Sequence, residues 1–138
     1  MLFFAAVLTV LFSTCSFLYP INPWDDANVY MTIGNAMLSG KELYVDIFDH
    51  KGPVLFFLHE AAAMLSRSSF AGIWLVELVC CYFYLHYSLR TMRQFSASDA
   101  TLPLTLLLGV VTYSSDFFYY GDSVEEFSLP ILDRKSVV

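Results

Sequence analysis

Three long apolar runs dominate the pattern of hydrophobic and polar positions along the chain. They cover residues 1–19, 70–89 and 102–120. Each has roughly the 20 residues that a helix needs to cross about 30 Å of hydrocarbon. The pattern therefore predicts an all-α, polytopic transmembrane protein with about three spans.

A fourth apolar run is shorter. It covers residues 53–65 and contains His59 and Glu60. As a helix, this run would rise only about 20 Å, which is too little to span the hydrocarbon comfortably. We therefore expect a re-entrant or interfacial helix here.

The positions of the charged residues predict how the spans are oriented. Arg90 and Arg93 directly follow the second long run, which marks that end as cytoplasmic by the positive-inside rule. The segment between the first and fourth runs carries more acidic than basic residues. If the fourth run does not cross, loop 20–69 and segment 121–126 both lie on the outer side of the cytoplasmic membrane.

The composition excludes several classes of protein. Hydrophobic residues make up 57% of the 138 residues and charged residues only 14%, whereas an average soluble domain is about a quarter charged. The net charge of −6 argues against a nucleic-acid partner. Cys15, Cys80 and Cys81 lie within apolar runs and are interpreted as small hydrophobic residues, not as a disulfide framework or a metal cluster.

The outer loop begins with an aromatic and acidic segment. Pro20 and Pro23 end the first helix, Trp24 suits the membrane interface, and a new helix is expected from Asp25 or Asp26 to Ser39, with Gly40 as its stop. An apolar stripe predicts that this helix lies flat on the membrane. The stripe consists of Val29, Ile33, Ala36 and Met37. Asp25 and Asp26 either contribute to a site or only cap the helix.

The second half of the loop places charged side chains at the entrance to the fourth apolar run. Lys51 either neutralises an anion or extends its ammonium group to the lipid headgroups. His50 is interpreted as a surface imidazole in preference to a metal ligand. Asp46, Asp49 and His50 could together bind a divalent metal, although their spacing is not diagnostic.

Four further ionisable residues are candidates. Glu125 and Glu126 either belong to a site or form a solvated loop that caps the next helix. Glu77 and His86 lie within a predicted span, where ionisable side chains are costly and are therefore functional candidates. The alternative for Glu77 and His86 is a buried polar pair.

Several motifs resemble those of a known family. They are Trp24-Asp25-Asp26 with Tyr30, G-K-x-L-Y-x-D-x-F-D-H-K-G-P from Gly40, and G-x-S-V-E-E-F-S-L-P from Gly121. Together they resemble bacterial polytopic glycosyltransferases of the C-type superfold, similar to family 39, which includes protein O-mannosyltransferases and lipid A aminoarabinose transferases. The resemblance covers residues 20–130. One departure is Val54, which stands where the family has a second proline.

The resemblance implies an activity and a site. It implies transfer of a hexose or pentose from a polyprenyl-phosphate donor to a hydroxyl on a lipid, glycan or protein acceptor at the outer membrane surface, with inversion. Asp26 would be the catalytic base and Lys51 would contact the donor phosphate. The supporting residues would be Asp25, Asp46, Asp49, His50, Glu125 and Glu126. The resemblance implies no definite cofactor, and a divalent metal is left open.

The resemblance also bears on the extent of the chain. Such enzymes have many more spans, so residues 1–132 would be the amino-terminal part of a larger membrane domain and inactive alone. Residues 133–138 break sharply with the preceding apolar segment and are expected to be a non-native tail. The alternative is a non-enzymatic polytopic membrane protein, either an accessory subunit or a transporter with its polar residues near the bilayer midplane.

Overall fold

The computed structural model describes residues 1–95, 98–116, 118 and 120–135, with side chains up to position 131. This part of the chain forms six helices: α1 (Leu2–Phe12), α2 (Asp25–Leu38), α3 (Pro53–Leu65), α4 (Ala71–Phe95), α5 (Thr101–Tyr113) and α6 (Val124–Lys135). It contains no β-strand, and its single β-bridge joins Leu43 to Ile47. The prediction of an all-α fold is confirmed. Residues 136–138 of the predicted tail lie outside the described residues.

One helix in the described part of the chain is long and apolar enough to cross a membrane. This helix is α4, with 25 residues, whereas α1 has 11 and α5 has 13. Helix α1 ends early because Ser13 is extended and is followed by turns, so the apolar run 1–19 is only partly helical. The prediction of three spans is therefore not established by helix length, and it stays a prediction.

Helix α4 is the centre of the bundle. It packs against α1, α3, α5 and α6, while α2 packs against α3. One apolar core, which includes Tyr30, Phe56 and Ile73, fills the space between α2, α3 and α4. A second core, which includes Leu8 and Leu85, joins α1, α4 and α5. Both cores include residues of α4, so this helix connects the two halves of the bundle.

Helix α2 differs in part from its prediction. Its end is as expected, because Gly40 adopts a φ of +89° just beyond Leu38 and Ser39. Its buried face was predicted only in part, since Ile33 and Met37 are buried as expected but Val29 is exposed. The buried residues are Ala27, Tyr30, Ile33, Gly34 and Met37. This face packs on α3 and belongs to the protein core, and the placement of α2 at the membrane surface stays a prediction.

The two ionisable residues predicted within the second span do not pair with each other. Glu77 is fully buried, whereas His86 is exposed and stacks on Tyr82, with 5.9 Å between ring centroids. Positions 77 and 86 are nine residues apart, so their side chains point to different sides of α4. The interpretation as a buried polar pair is wrong. All three cysteines are free thiols, as expected.

Candidate functional site

The loops before α2 and α6 meet at one end of the bundle. The backbone N–H of Thr14 donates to the carbonyl of Tyr120 at 2.9 Å, and the Thr14 hydroxyl lies 3.0 Å from the side-chain oxygen of Asn22. These contacts join the end of α1 to the segment preceding α2 and to the connection between α5 and α6. Segments 20–51 and 121–126 are therefore neighbours, and the side of the membrane on which they lie stays a prediction.

A cleft of about 320 Å³ opens between these loops, and we call it the polar cleft. Its walls are formed by Trp24, Tyr30, Lys51, Asp116, Ser123, Val124 and Glu125. It combines one ammonium group with two carboxylates and three other polar side chains. The structure thus brings together Lys51 and Glu125, which are 74 positions apart in the sequence.

Asp26 is connected to this cleft through Tyr30. The Tyr30 hydroxyl lies 3.3 Å from Oδ2 of Asp26 and donates to it. Burial, followed by the negative charge of Asp26, raises the pKa of Tyr30 well above its ordinary value, so the phenol stays protonated and remains a donor. Asp25 is exposed, and neither aspartate caps α2, because the N-cap residue is Trp24 and it makes no side-chain capping bond. The capping interpretation of this acid pair is therefore wrong.

Short-range hydrogen bonds fix the backbone at Lys51. The Tyr44 hydroxyl donates to the Lys51 carbonyl at 2.5 Å, and the Lys51 N–H donates to Oδ1 of Asp49 at 3.0 Å. Gly52 then provides the N-cap and Pro53 begins α3, where its missing N–H costs nothing. Sequence reasoning assigned no role to Tyr44, whose φ of +66° is unusual for a tyrosine. The aromatic side chain gave no signal that it would bond to the backbone seven residues later.

The remaining acids of the loop do not form a metal centre. Oδ2 of Asp46 accepts the N–H of Glu42 at 2.9 Å. His50 has 79% of its side chain exposed and lies 3.6 Å from Asp49. Among the described residues, no group of three or more histidine, cysteine, aspartate or glutamate side chains could hold a metal ion. Asp46 and Asp49 instead shape the loop that carries Lys51.

The adjacent acids Glu125 and Glu126 have opposite environments. Glu125 is exposed in the polar cleft, whereas Glu126 is 1% exposed. The Glu126 N–H donates to the Ser123 hydroxyl oxygen at 3.1 Å, and its carboxylate accepts the N–H of Asp122, also at 3.1 Å. This reciprocal arrangement resembles a capping box at the start of α6. The solvated-loop interpretation therefore holds for Glu125 and is wrong for Glu126.

An apolar groove of about 650 Å³ begins where the polar cleft ends. It runs between α3, α4 and α6 and is lined mainly by Val54, Leu58, Phe83, Phe127 and Ile131. Val124 lines both the cleft and the groove, and Gly52, which also lines the groove, directly follows Lys51. A single molecule with a polar head and an apolar tail could therefore occupy both spaces.

A buried acidic cluster lies behind the cleft, and we define it as His59, Glu77, Asp122 and Glu126. His59 Nε2 lies 2.9 Å from Oδ1 of Asp122, while the Asp122 N–H donates to Glu77 at 2.7 Å. Tyr30 connects the cleft to this cluster, since its ring packs edge-on against His59 at a centroid distance of 5.5 Å. Sequence reasoning assigned no role to Asp122, and no local signal marked a loop aspartate as fully buried.

Comparison of the chain with protein-family models, with curated proteins and with solved structures finds no match. The chemistry of the site must therefore be inferred from its own residues. The arrangement offers an ammonium group for an anion, a carboxylate supported by a phenol, and an apolar groove that continues from them.

Proposed function

We propose that this chain belongs to a membrane glycosyltransferase that moves a sugar from a polyprenyl-phosphate donor to an acceptor hydroxyl. The observation that supports it best is the junction of the polar cleft with the apolar groove at Lys51–Gly52 and Val124. A polyprenyl-phosphate sugar has this same order of parts: an apolar tail, an anionic phosphate and a hydrophilic sugar.

The placement of Lys51 suits the departing lipid phosphate. Bonds from Tyr44 and Asp49 fix its backbone at the start of α3, and its side chain lines the cleft next to the groove. As the bond between the sugar and the phosphate breaks, negative charge grows on the phosphate oxygens. A preorganised ammonium group stabilises this charge more in the transition state than in the ground state, and this difference accelerates the reaction.

Asp26 suits the role of the base. Its carboxylate is half-buried and accepts one hydrogen bond from Tyr30, so its orientation is restrained while it remains able to accept a proton. The acceptor hydroxyl would lose its proton to Asp26 as its oxygen attacks the anomeric carbon, and the lipid phosphate would leave with the bonding electrons. This single displacement inverts the configuration at that carbon.

The exterior of the bundle supports a location in the membrane. Large apolar side chains of α5 are 45–57% exposed at Leu102, Leu104 and Leu107, and Phe3 of α1 is 83% exposed. Large apolar side chains exposed in this way are costly in water and suited to lipid. The proposed site would then lie at the outer membrane surface, where a lipid-linked donor meets an acceptor in water.

Lys51→Gln in the complete protein tests the proposal. Membrane vesicles that contain the protein would be supplied with polyprenyl-phosphate-linked hexoses and pentoses, and release of the lipid phosphate would be measured. We expect Lys51→Gln to lower turnover by about two to three orders of magnitude, the range for the loss of one preorganised electrostatic contact. Lys51→Arg should keep part of the activity.

Lys41→Gln is the matched control, because Lys41 is an exposed lysine of the same loop that does not line the cleft. It should retain wild-type turnover. Equal turnover of Lys51→Gln and Lys41→Gln would leave Lys51 with only an anchoring role. Absence of donor cleavage by the wild-type protein, with every donor tried, would refute the transferase proposal.

A second candidate function is a non-enzymatic membrane protein such as a transporter. The buried acidic cluster favours it, since ionisable groups inside helical bundles often mark ion or substrate pathways. The same vesicles distinguish the two functions, because a transporter would move the donor across the bilayer without releasing its sugar.

A further inference from the structure

The buried acidic cluster contains more acids than its neighbours can neutralise. Glu77 and Asp122 are fully buried, Glu126 is 1% exposed and His59 is 3% exposed. In the described part of the chain, ion pairs form only between histidines and aspartates, and none involves a lysine or an arginine. Three carboxyl groups therefore share one imidazole, out of contact with water.

The hydrogen bonds of His59 account for one of these acids. Its Nδ1 lies 2.9 Å from the carbonyl oxygen of Leu55, so Nδ1 must carry a hydrogen. Its Nε2 is hydrogen-bonded to Oδ2 of Asp122 at 3.1 Å and lies 2.9 Å from Oδ1, so a second proton lies between the ring and this carboxyl group. Whether that proton sits on His59 or on Asp122, the pair is neutral as a unit.

Glu77 and Glu126 remain, and both face the same donor. The Asp122 N–H donates to Oε1 of Glu77 at 2.7 Å and to Oε2 of Glu126 at 3.1 Å. The Ser13 hydroxyl donates to the other oxygen of Glu77 at 2.6 Å. The second oxygen of Glu126 has no hydrogen-bond partner among the described residues. Two buried carboxylates that converge on one N–H cannot both be ionised at reasonable cost.

We propose that Glu77 and Glu126 form a proton-binding site, in which the two carboxyl groups hold one proton between them at neutral pH. Nothing in this inference depends on the transferase activity. Its ligand is a proton, and its donor and acceptor atoms come from α4 and α6, with Ser13 and the Asp122 backbone completing the site.

The proton would lock the turn that leads into α6. Gly121 and Asp122 both have left-handed backbone angles, with φ values of +88° and +58°. A Cβ atom at Gly121 would lie 2.6 Å from Oε1 of Glu77 and 2.7 Å from Oγ of Ser13, so the glycine lets this turn press against the carboxyl group. The same turn continues into Ser123 and Val124 of the polar cleft. Loss of the proton would place two like charges beneath that wall.

The other titratable groups that face the pair cannot supply a positive charge. They are the thiols of Cys15, Cys80 and Cys81 and the phenol of Tyr113, in addition to His59 and Asp122. Burial, followed by the charge of Glu77, raises the pKa of Glu126 well above its ordinary value of 4.5. An acid whose pKa is raised by folding stabilises the folded state most at low pH. This stabilisation is lost as the pH rises from about 4.5 towards the pKa of the acid in the folded protein.

Infrared spectroscopy of the complete protein at pH 7 tests the proposal directly. Glutamate labelled with carbon-13 at its side-chain carboxyl shifts the C=O stretch of a protonated acid, which identifies that band as glutamic acid. We expect the wild type to show one such band per chain. The Glu77→Gln/Glu126→Gln double variant should lose it, and Glu125→Gln should retain it as the matched exposed control. Absence of the band in the wild type, or its persistence in the double variant, would overturn the proposal.

The pH dependence of unfolding gives an independent readout. The thermal midpoint of the wild type should fall between pH 5 and pH 9, because the folded state binds more protons than the unfolded state in this range. Glutamine mimics a protonated carboxyl in shape and can donate a hydrogen bond, so the double variant should fold and show a smaller fall. Equal slopes for the two proteins would contradict the shared proton.

Discussion

Replacing Gly34 with alanine tests the close crossing of α2 and α3, on which the position of His59 depends. A Cβ atom at Gly34 would lie 2.6 Å from the backbone carbon of His59 and 2.7 Å from its carbonyl oxygen. Backbone atoms cannot rotate away, so the two helices must separate. Overpacking of this kind costs about 1–3 kcal/mol, whereas alanine in a helix interior gains only about 0.5–1 kcal/mol over glycine. At the middle of these two ranges the cost exceeds the gain, and the variant loses about 1 kcal/mol of folding free energy.

Thermal unfolding of the purified protein in detergent measures this loss. A destabilisation of that size should lower the midpoint by roughly 3–4 °C for a chain of this length. Gly52→Ala is the control, because a Cβ at Gly52 meets nothing within 4 Å and its φ of −71° is ordinary. Equal midpoints for Gly34→Ala and Gly52→Ala would refute the close crossing.

Three further predictions concern the cleft and its topology. In the complete protein, Asp26→Asn should abolish turnover without loss of expression, because asparagine keeps the shape of the side chain but cannot accept the proton. Asp25→Asn should have a much smaller effect. Wild-type turnover of the Asp26 variant would remove the base assignment. Ser39 and Glu125 are both exposed, and each can be replaced by a single cysteine in a protein without its native cysteines. In intact cells, both cysteines should react with a thiol reagent that cannot cross the membrane. Protection of only one of them would contradict the prediction that both segments lie on the outer side. Ser123→Ala should cost about 1 kcal/mol of stability through the lost N-cap, measured by the thermal midpoint, and an unchanged midpoint would argue against the cap.

The helices were the most predictable part of the molecule. The run from Pro53 to Leu65 is helical over its full length, as expected, because proline begins it and apolar residues continue it. Helix α2 also has its predicted ends, since Gly40 can adopt the positive φ that stops it. Sequence reasoning was less successful with α1 and α5, because apolar composition does not reveal where serine and threonine side chains will bond to the backbone and end a helix.

The site was predictable only where neighbours in sequence remain neighbours in space. Lys51 was identified because it stands at the entrance to an apolar helix, which is a local feature. Glu125 and Glu126 could not be separated, because adjacent positions at a helix start point in different directions, and only packing decides which one is buried. Asp122 could not be found at all, since its partners His59 and Glu77 lie 63 and 45 positions earlier.

The sequence by itself determined the all-α class, the apolar exterior and the placement of charged residues in the loops around α2 and α3. These properties follow from local hydrophobicity and backbone preference, which each segment carries with it. The tertiary structure decided that Tyr30 would connect Asp26 to His59, and that three acids would be buried together behind the cleft. Such contacts depend on how α2, α3, α4 and α6 cross, and helix crossing is fixed by the fit of many side chains at once, with close approach at Gly34.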